Sequence, residues 1–181
     1  MTGGAAMKKS VIKNKILKVG DIAPDFSLPS HSEGELNLKW YRERSNVVLA
    51  FYPGDWTPAC SSQIPGYEEQ SAKFLRYNCQ VLGVSVDSIA SHKAWAPSLG
   101  GISFPLLSDY WPHGQISQAY GVLSERGFAN RTVFLIDING VIRFIGRYDY
   151  DKVPDINDLF QNIDKLEKEA TVGHKSKSFP A

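Results

Sequence analysis

The chain is poor in the residues that build cross-links and metal cages. It has only two cysteines, Cys60 and Cys79, and four histidines in 181 residues. Two cysteines are too few for a disulfide framework, and a chain of this length buries enough apolar surface not to need one. Cys60 stands among turn formers and small polar residues, whereas Cys79 stands beside an apolar run. The contrast points to one chemical and one structural cysteine in a reducing compartment, so a cytoplasmic location is expected. His31, His92, His113 and His174 are scattered without metal-ligand spacing, and no metal is expected. No glycine-rich phosphate loop occurs, and no cofactor is expected. Neither sign of charge dominates. A formal net charge of +1 provides no long-range attraction for nucleic acid or an anionic membrane. No apolar run approaches the length that spans a bilayer. Residues 1–18 lack the continuous apolar stretch of a secretory leader and read as a flexible tail.

What is present is an ordinary globular balance, 43% apolar and 22% charged, without repeats. Residues 47–52 are a continuous apolar run rich in β-branched and aromatic side chains, the pattern of a central strand buried on both faces. Pro53 and Gly54 end it. Residues 60–77 are compatible with helix, with Ile64, Tyr67, Phe74 and Leu75 near one face and Pro65 in the first turn. Residues 81–86 form a second apolar strand, after which Asp87 and Ser88 can cap a helix reaching about Leu99. A short strand at 104–107 and a short helix at 115–120 follow. Residues 132–136 and 141–145 flank Asn139-Gly140, which predicts a hairpin with a type I′ turn. The last helix is expected over 155–169, with 170–181 as a loose tail.

The first half, strand–helix–strand, demands parallel pairing, and the hairpin demands antiparallel pairing. The expected fold is therefore α/β: a thioredoxin-like, mixed central β-sheet with helices on both faces. An N-terminal extension covers roughly residues 22–38. The domain spans 19–169.

Cys60 follows a buried strand by a short loop and opens a helix. The carboxyl end of a parallel strand is where ligands bind in such units. A helix N-terminus presents free N–H groups and the positive end of a dipole, which favour thiolate over thiol. Thr57 lies one turn earlier, so its hydroxyl can approach the sulfur. Pro53 supplies an apolar wall without a competing N–H.

The pattern Pro53-x-x-x-Thr57-x-x-Cys60 resembles the active-site signature of the peroxiredoxins. Further stretches are similar to that family in order: Val19-Gly-Asp-Ile-Ala-Pro-Asp-Phe, Val81-Leu-Gly-Val-Ser-Val-Asp-Ser with His92-Lys-Ala-Trp, Phe104-Pro-Leu-Leu-Ser-Asp, Tyr120-Gly-Val, and Asn130-Arg-Thr-Val-Phe-Leu-Ile-Asp. The resemblance covers about residues 19–169. It implies that a Cys60 thiolate attacks the terminal oxygen of hydrogen peroxide or an organic hydroperoxide and becomes a sulfenic acid. Thr57, Arg131 and backbone N–H groups would hold the peroxide, and Pro53 would shield the sulfur. A thiol reductant such as thioredoxin would restore it. Homodimers or larger assemblies are implied as well.

A magnitude shows where the rate must come from. Moving a generic thiol from a pKa of about 8.5 to about 6 raises its thiolate fraction at pH ~7.4 roughly tenfold. Nucleophilicity falls with a slope of about 0.4–0.5, which takes roughly the same factor back. Donors acting on the O–O transition state must supply most of the rate.

Two departures stand out. Gln63 stands where family members often carry glutamate; it can hydrogen-bond an arginine but cannot form an ion pair with it. No cysteine follows Cys79, so a C-terminal resolving cysteine is absent, and the position five residues after Cys60 is Pro65. Cys79 is expected to be structural and the enzyme to be of the one-cysteine type. Trp56 is placed either at the peroxide entrance or at an oligomer contact. The competing readings are a thioredoxin-like disulfide oxidoreductase, for which Thr57 replaces the needed first cysteine, and a non-enzymatic redox sensor or chaperone-like assembly.

Overall fold

The computed structural model describes residues 16–32 and 34–175. Its centre is a five-stranded sheet in the order β5-β4-β3-β6-β7. The strands are β3 (Asn46–Phe51), β4 (Cys79–Ser85), β5 (Leu106–Ser108), β6 (Thr132–Ile136) and β7 (Ile142–Arg147). β3 pairs in parallel with β4, and β4 with β5. β6 pairs antiparallel with β3 and with β7. The mixed sheet expected from the element order is present.

β3 shows why a continuous apolar run becomes a central strand. Val47, Leu49 and Phe51 join one core, while Val48, Ala50 and Tyr52 join the other. Alternation by two sends every side chain into one of two apolar layers. The second layer packs under α1 (Cys60–Glu69), α2 (Ser71–Arg76), α3 (Ile89–Ser98) and α5 (Ile156–Lys175). The first layer is covered by the N-terminal extension, a 3₁₀ turn at Leu38–Tyr41 and the region of α4 (Gln115–Ala119). The extension itself forms a small hairpin, β1 (Ser27–Pro29) with β2 (Glu35–Asn37). At Gly83 a Cβ would lie 2.8 Å from Leu106 Cδ2 and 3.4 Å from Tyr52 Cε1, so a larger residue would push the Leu106 side chain away from β4.

Several boundaries differ from expectation. Leu17 is buried in the first core, so the structured domain begins before residue 19; the rest of the expected N-terminal tail, residues 1–15, lies outside the described residues. α5 continues to Lys175 through part of the expected C-terminal tail, and 176–181 lie outside the described residues. The 60–77 helix is two helices separated at Gln70, and Pro65 lies inside α1 rather than in its first turn. Leu75 points outward, 80% exposed, beside fully packed Phe74. The hairpin turn is not type I′, because Gly140 has positive φ and Asn139 does not. Instead Gly140 N–H donates to the Asp137 carbonyl at 2.8 Å, and the Asp137 carboxylate accepts from the N–H groups of Asn139 and Val141. The carboxylate shapes a wider loop that the Asn-Gly pair alone does not specify. Among the described residues no helix is long and apolar enough to cross a membrane.

Candidate active site

Strand register assembles the site. β3 ends at Phe51, which pairs with Thr132 of β6. Arg131, the residue before Thr132, therefore stands at the sheet end where the chain leaves β3 for the loop that leads to Cys60. Cys60 opens α1 and is fully buried. No side chain caps α1; instead the Ser61 N–H donates to the Thr57 carbonyl at 2.9 Å and the Ser62 N–H to the Ala59 carbonyl at 3.3 Å, so the loop backbone takes up these first-turn donors.

Arg131 is only 1% exposed. One Nη2 donates to Cys60 Sγ at 3.4 Å and to the Tyr150 carbonyl at 2.8 Å. Nη1 donates to Gln63 Oε1 in a short bond. Nε is buried without a partner. Among the described residues no carboxylate pairs with this guanidinium. A buried cation needs an anion or a dense set of acceptors, and of its hydrogen-bond partners among the described residues only the Cys60 sulfur can become an anion. Arg131 is thus a buried donor aimed at sulfur.

Gln63 Nε2 donates in turn to Tyr67 Oη at 3.1 Å. Burial pushes the Tyr67 hydroxyl far above the ordinary tyrosine value, so it stays neutral. The amide thus relays between a cation and a neutral phenol, which a carboxylate would do only by adding charge. Gln63→Leu leaves Arg131 Nη1 without its acceptor. The expected result is a stability loss of about 1–3 kcal/mol, read by urea unfolding, with a slower peroxide reaction.

Thr57 Oγ1 donates to the Gly54 carbonyl at 3.0 Å. The hydroxyl hydrogen closes the loop, while its lone pairs can still accept a hydrogen bond from a peroxide O–H. Pro53 is buried in the same loop. Trp56 is 57% exposed and holds a left-handed φ of 63°, a strained state for a bulky residue.

Sequence reasoning missed what anchors this loop. Asp55 and His92, set 37 residues apart, meet with both side chains fully buried. Asp55 accepts from Tyr52 Oη (2.9 Å) and Ser91 Oγ (2.7 Å), and lies 2.9 Å from His92 Nδ1. The Asp55 N–H donates to Asp87 Oδ2 at 2.9 Å. His92 had no metal spacing and so no signal; its partner is set by the docking of α3 against the loop.

The comparisons with known proteins agree with this geometry. A model of the AhpC/TSA family matches residues 19–145. The chain belongs to this family, the peroxiredoxins. It is 42% identical over 130 residues to alkyl hydroperoxide reductase E of Mycobacterium tuberculosis, covering 71% of this chain and 84% of that one. It is 40% identical over 138 residues to peroxiredoxin-2 of Mus musculus, covering 71% and 68%. The reduced 2-Cys peroxiredoxin of Plasmodium vivax superposes with a TM-score of 0.80 at 31% identity, covering 86% of this chain and 84% of that one.

This peroxiredoxin is accordingly a thiol-dependent peroxidase with a thioredoxin-like fold. Its second cysteine lies elsewhere. Cys79 pairs with Asn46 at the start of β3, whereas Cys60 follows the end of the same strand. Burial pushes the Cys79 thiol up to about 12.

Proposed function

We propose that Cys60 is the peroxide-reactive residue of a one-cysteine enzyme that reduces hydrogen peroxide and organic hydroperoxides. The observation that carries this reading is the buried Arg131 guanidinium, 3.4 Å from Cys60 Sγ and without a carboxylate partner among the described residues. The thiolate attacks the terminal peroxide oxygen. An S–O bond forms, the O–O bond breaks, and the departing alkoxide or hydroxide takes a proton. The fork of Arg131 and the Thr57 oxygen orient the peroxide, and Pro53 keeps water from the sulfur. Arg131 lies where negative charge grows on the oxygens. An external thiol, of thioredoxin type, then attacks the sulfenic sulfur and expels water. A second thiol releases Cys60 and leaves the two reductant sulfurs as a disulfide.

The one-cysteine assignment is supported by topology. The start and end of β3 are separated by on the order of 16 Å of strand rise, well beyond the roughly 7 Å that a disulfide spans between Cα atoms. The test is mass mapping after one equivalent of peroxide with a sulfenic-acid trap. The adduct is expected on Cys60, with no Cys60–Cys79 disulfide; an intramolecular disulfide would overturn the assignment. Iodoacetamide at pH 8 is expected to label Cys79 only after denaturation. An unfolded thiol ionises near about 8.5, so the stability that burial of Cys79 contributes is present below that pH and declines as pH rises toward 12.

We also infer self-association and a cytoplasmic location. Exposed Trp56, Tyr110 and Trp111 follow the ends of β3 and β5 at one end of the sheet, an apolar surface of the kind that a second copy covers. Sedimentation of the reduced protein tests the assembly. Two free thiols suit a reducing compartment, which cell fractionation tests.

A further inference from the structure

Both ring nitrogens of His92 face acceptors. Nε2 lies 3.3 Å from the Leu107 carbonyl, which can only accept. Nδ1 lies 2.9 Å and 3.1 Å from the two oxygens of Asp55. Those oxygens already accept from Tyr52 Oη and Ser91 Oγ. Tyr52 Oη also lies 3.5 Å from Nδ1, but its hydrogen goes to Asp55 at 2.9 Å, so a neutral ring would turn a lone pair toward one of these acceptors in a fully buried site. A ring with a hydrogen on each nitrogen satisfies both.

The pair also occupies a mechanical position. Asp55 sits in the loop between β3 and Cys60. Around it the loop is tied to four elements: Tyr52 at the end of β3, Asp87 after β4 through the Asp55 N–H, Ser91 and His92 of α3, and, through His92, the Leu107 carbonyl of β5. Trp56 Nε1 adds a bond to Ser91 Oγ at 3.3 Å. The neighbouring titratable groups complete the picture. Tyr52 is neutral because burial and then Asp55 push its hydroxyl far up. His31 is pushed down by burial and then by repulsion from His92, and its Nδ1 accepts from the Leu106 N–H at 3.0 Å. Asp87 accepts from Ser85 Oγ at 2.7 Å. Asp55 is the carboxylate in direct contact with His92.

Cys60 is fully buried. A peroxide is small, but a thiol reductant must reach the oxidised sulfur, and the loop has to open for it. We propose that the His92 imidazolium and the Asp55 carboxylate form a buried latch that holds the Gly54–Cys60 loop closed, so that His92 is a positioning residue favouring the peroxide step over the reductant step. The strained backbone of Trp56 persists because the latch fixes the chain on its N-terminal side and α1 on the other. The proposal rests on Cys60 being the reacting sulfur.

Two measurements test it. Ring-nitrogen NMR of the intact, reduced protein at pH 7.5 is expected to show His92 with both nitrogens protonated; a neutral-imidazole spectrum overturns the latch as stated. Stopped-flow kinetics then compare wild type, His92→Gln and the double variant Asp55→Asn/His92→Gln, all checked for native circular dichroism. His92→Gln is expected to slow oxidation of Cys60 by hydrogen peroxide about tenfold through misplacement of the loop. It is expected to accelerate reduction of the sulfenic acid by a small thiol. The double variant, which leaves no unpaired buried carboxylate, is expected to recover part of the oxidation rate. Both steps slowing together, or no rescue in the double variant, overturns the proposal. If His92→Gln does not fold, the wild-type NMR spectrum and the double variant still decide. Failure of wild-type Cys60 to react with peroxide would instead count against the peroxidatic assignment.

Discussion

Arg131→Lys is expected to lower the second-order rate constant for Cys60 oxidation by hydrogen peroxide about 10²–10³-fold, equivalent to about 3–4 kcal/mol of transition-state stabilisation. Charge is conserved in this variant, so a purely electrostatic helper would change little. What is lost is the planar fork. Arg131 reaches Gln63, Cys60 and the Tyr150 carbonyl at once, from a single buried side chain. A lysine ammonium is a compact point charge that cannot hold these three acceptors in one plane. It also cannot keep one N–H near sulfur while another follows the peroxide oxygens. Stopped-flow oxidation beside ultraviolet titration of the Cys60 thiolate separates the two roles. Because thiolate fraction and nucleophilicity nearly offset each other, activation of sulfur alone accounts for little of the rate. If the loss merely followed the measured thiolate fraction, Arg131 would be an electrostatic neighbour and not a transition-state donor.

Phe74→Ala is expected to destabilise the fold by about 3–5 kcal/mol, whereas Leu75→Ala should change stability by less than about 0.5 kcal/mol. The two residues are adjacent, and the apolar pattern places both near one helical face. Phe74 is 2% exposed and stacks on Phe160 of α5, with centroids 4.8 Å apart. Its edge also meets Tyr67 of α1 at 6.2 Å. Removing it opens a cavity where three helices meet over the sheet. Leu75 is 80% exposed and loses nothing comparable. For a domain of this size the first substitution corresponds to a fall in Tm of roughly 6–20 °C. Equal effects from the two variants would mean that α2 docks otherwise than described.

The halves of the site differ in how legible they were. Cys60 at a helix start after a buried strand follows from the chain itself, because turn formers after an apolar run are local signals. Spacing also brings Thr57 and Pro53 to the sulfur, whereas Arg131 came only from resemblance to a family. On the residues alone, Arg131 reads as a surface charge; its burial depends on the β3–β6 register and on the Tyr150 carbonyl closing over it. Gln63 was legible as a possible partner for an arginine, but not its second bond to Tyr67.

The pattern of apolar runs and turn formers thus determined the main strands, their order along the chain and the mixed sheet, since a strand buried on both faces is written into the chain as a continuous apolar segment. It also located the reactive sulfur. The break at Gln70, the outward turn of Leu75 and the carboxylate-shaped loop at Asp137 needed the tertiary structure. So did the meeting of Asp55 with His92. These depend on directional hydrogen bonds and on how helices dock, which join residues far apart in the chain and leave no period for a local pattern to reveal.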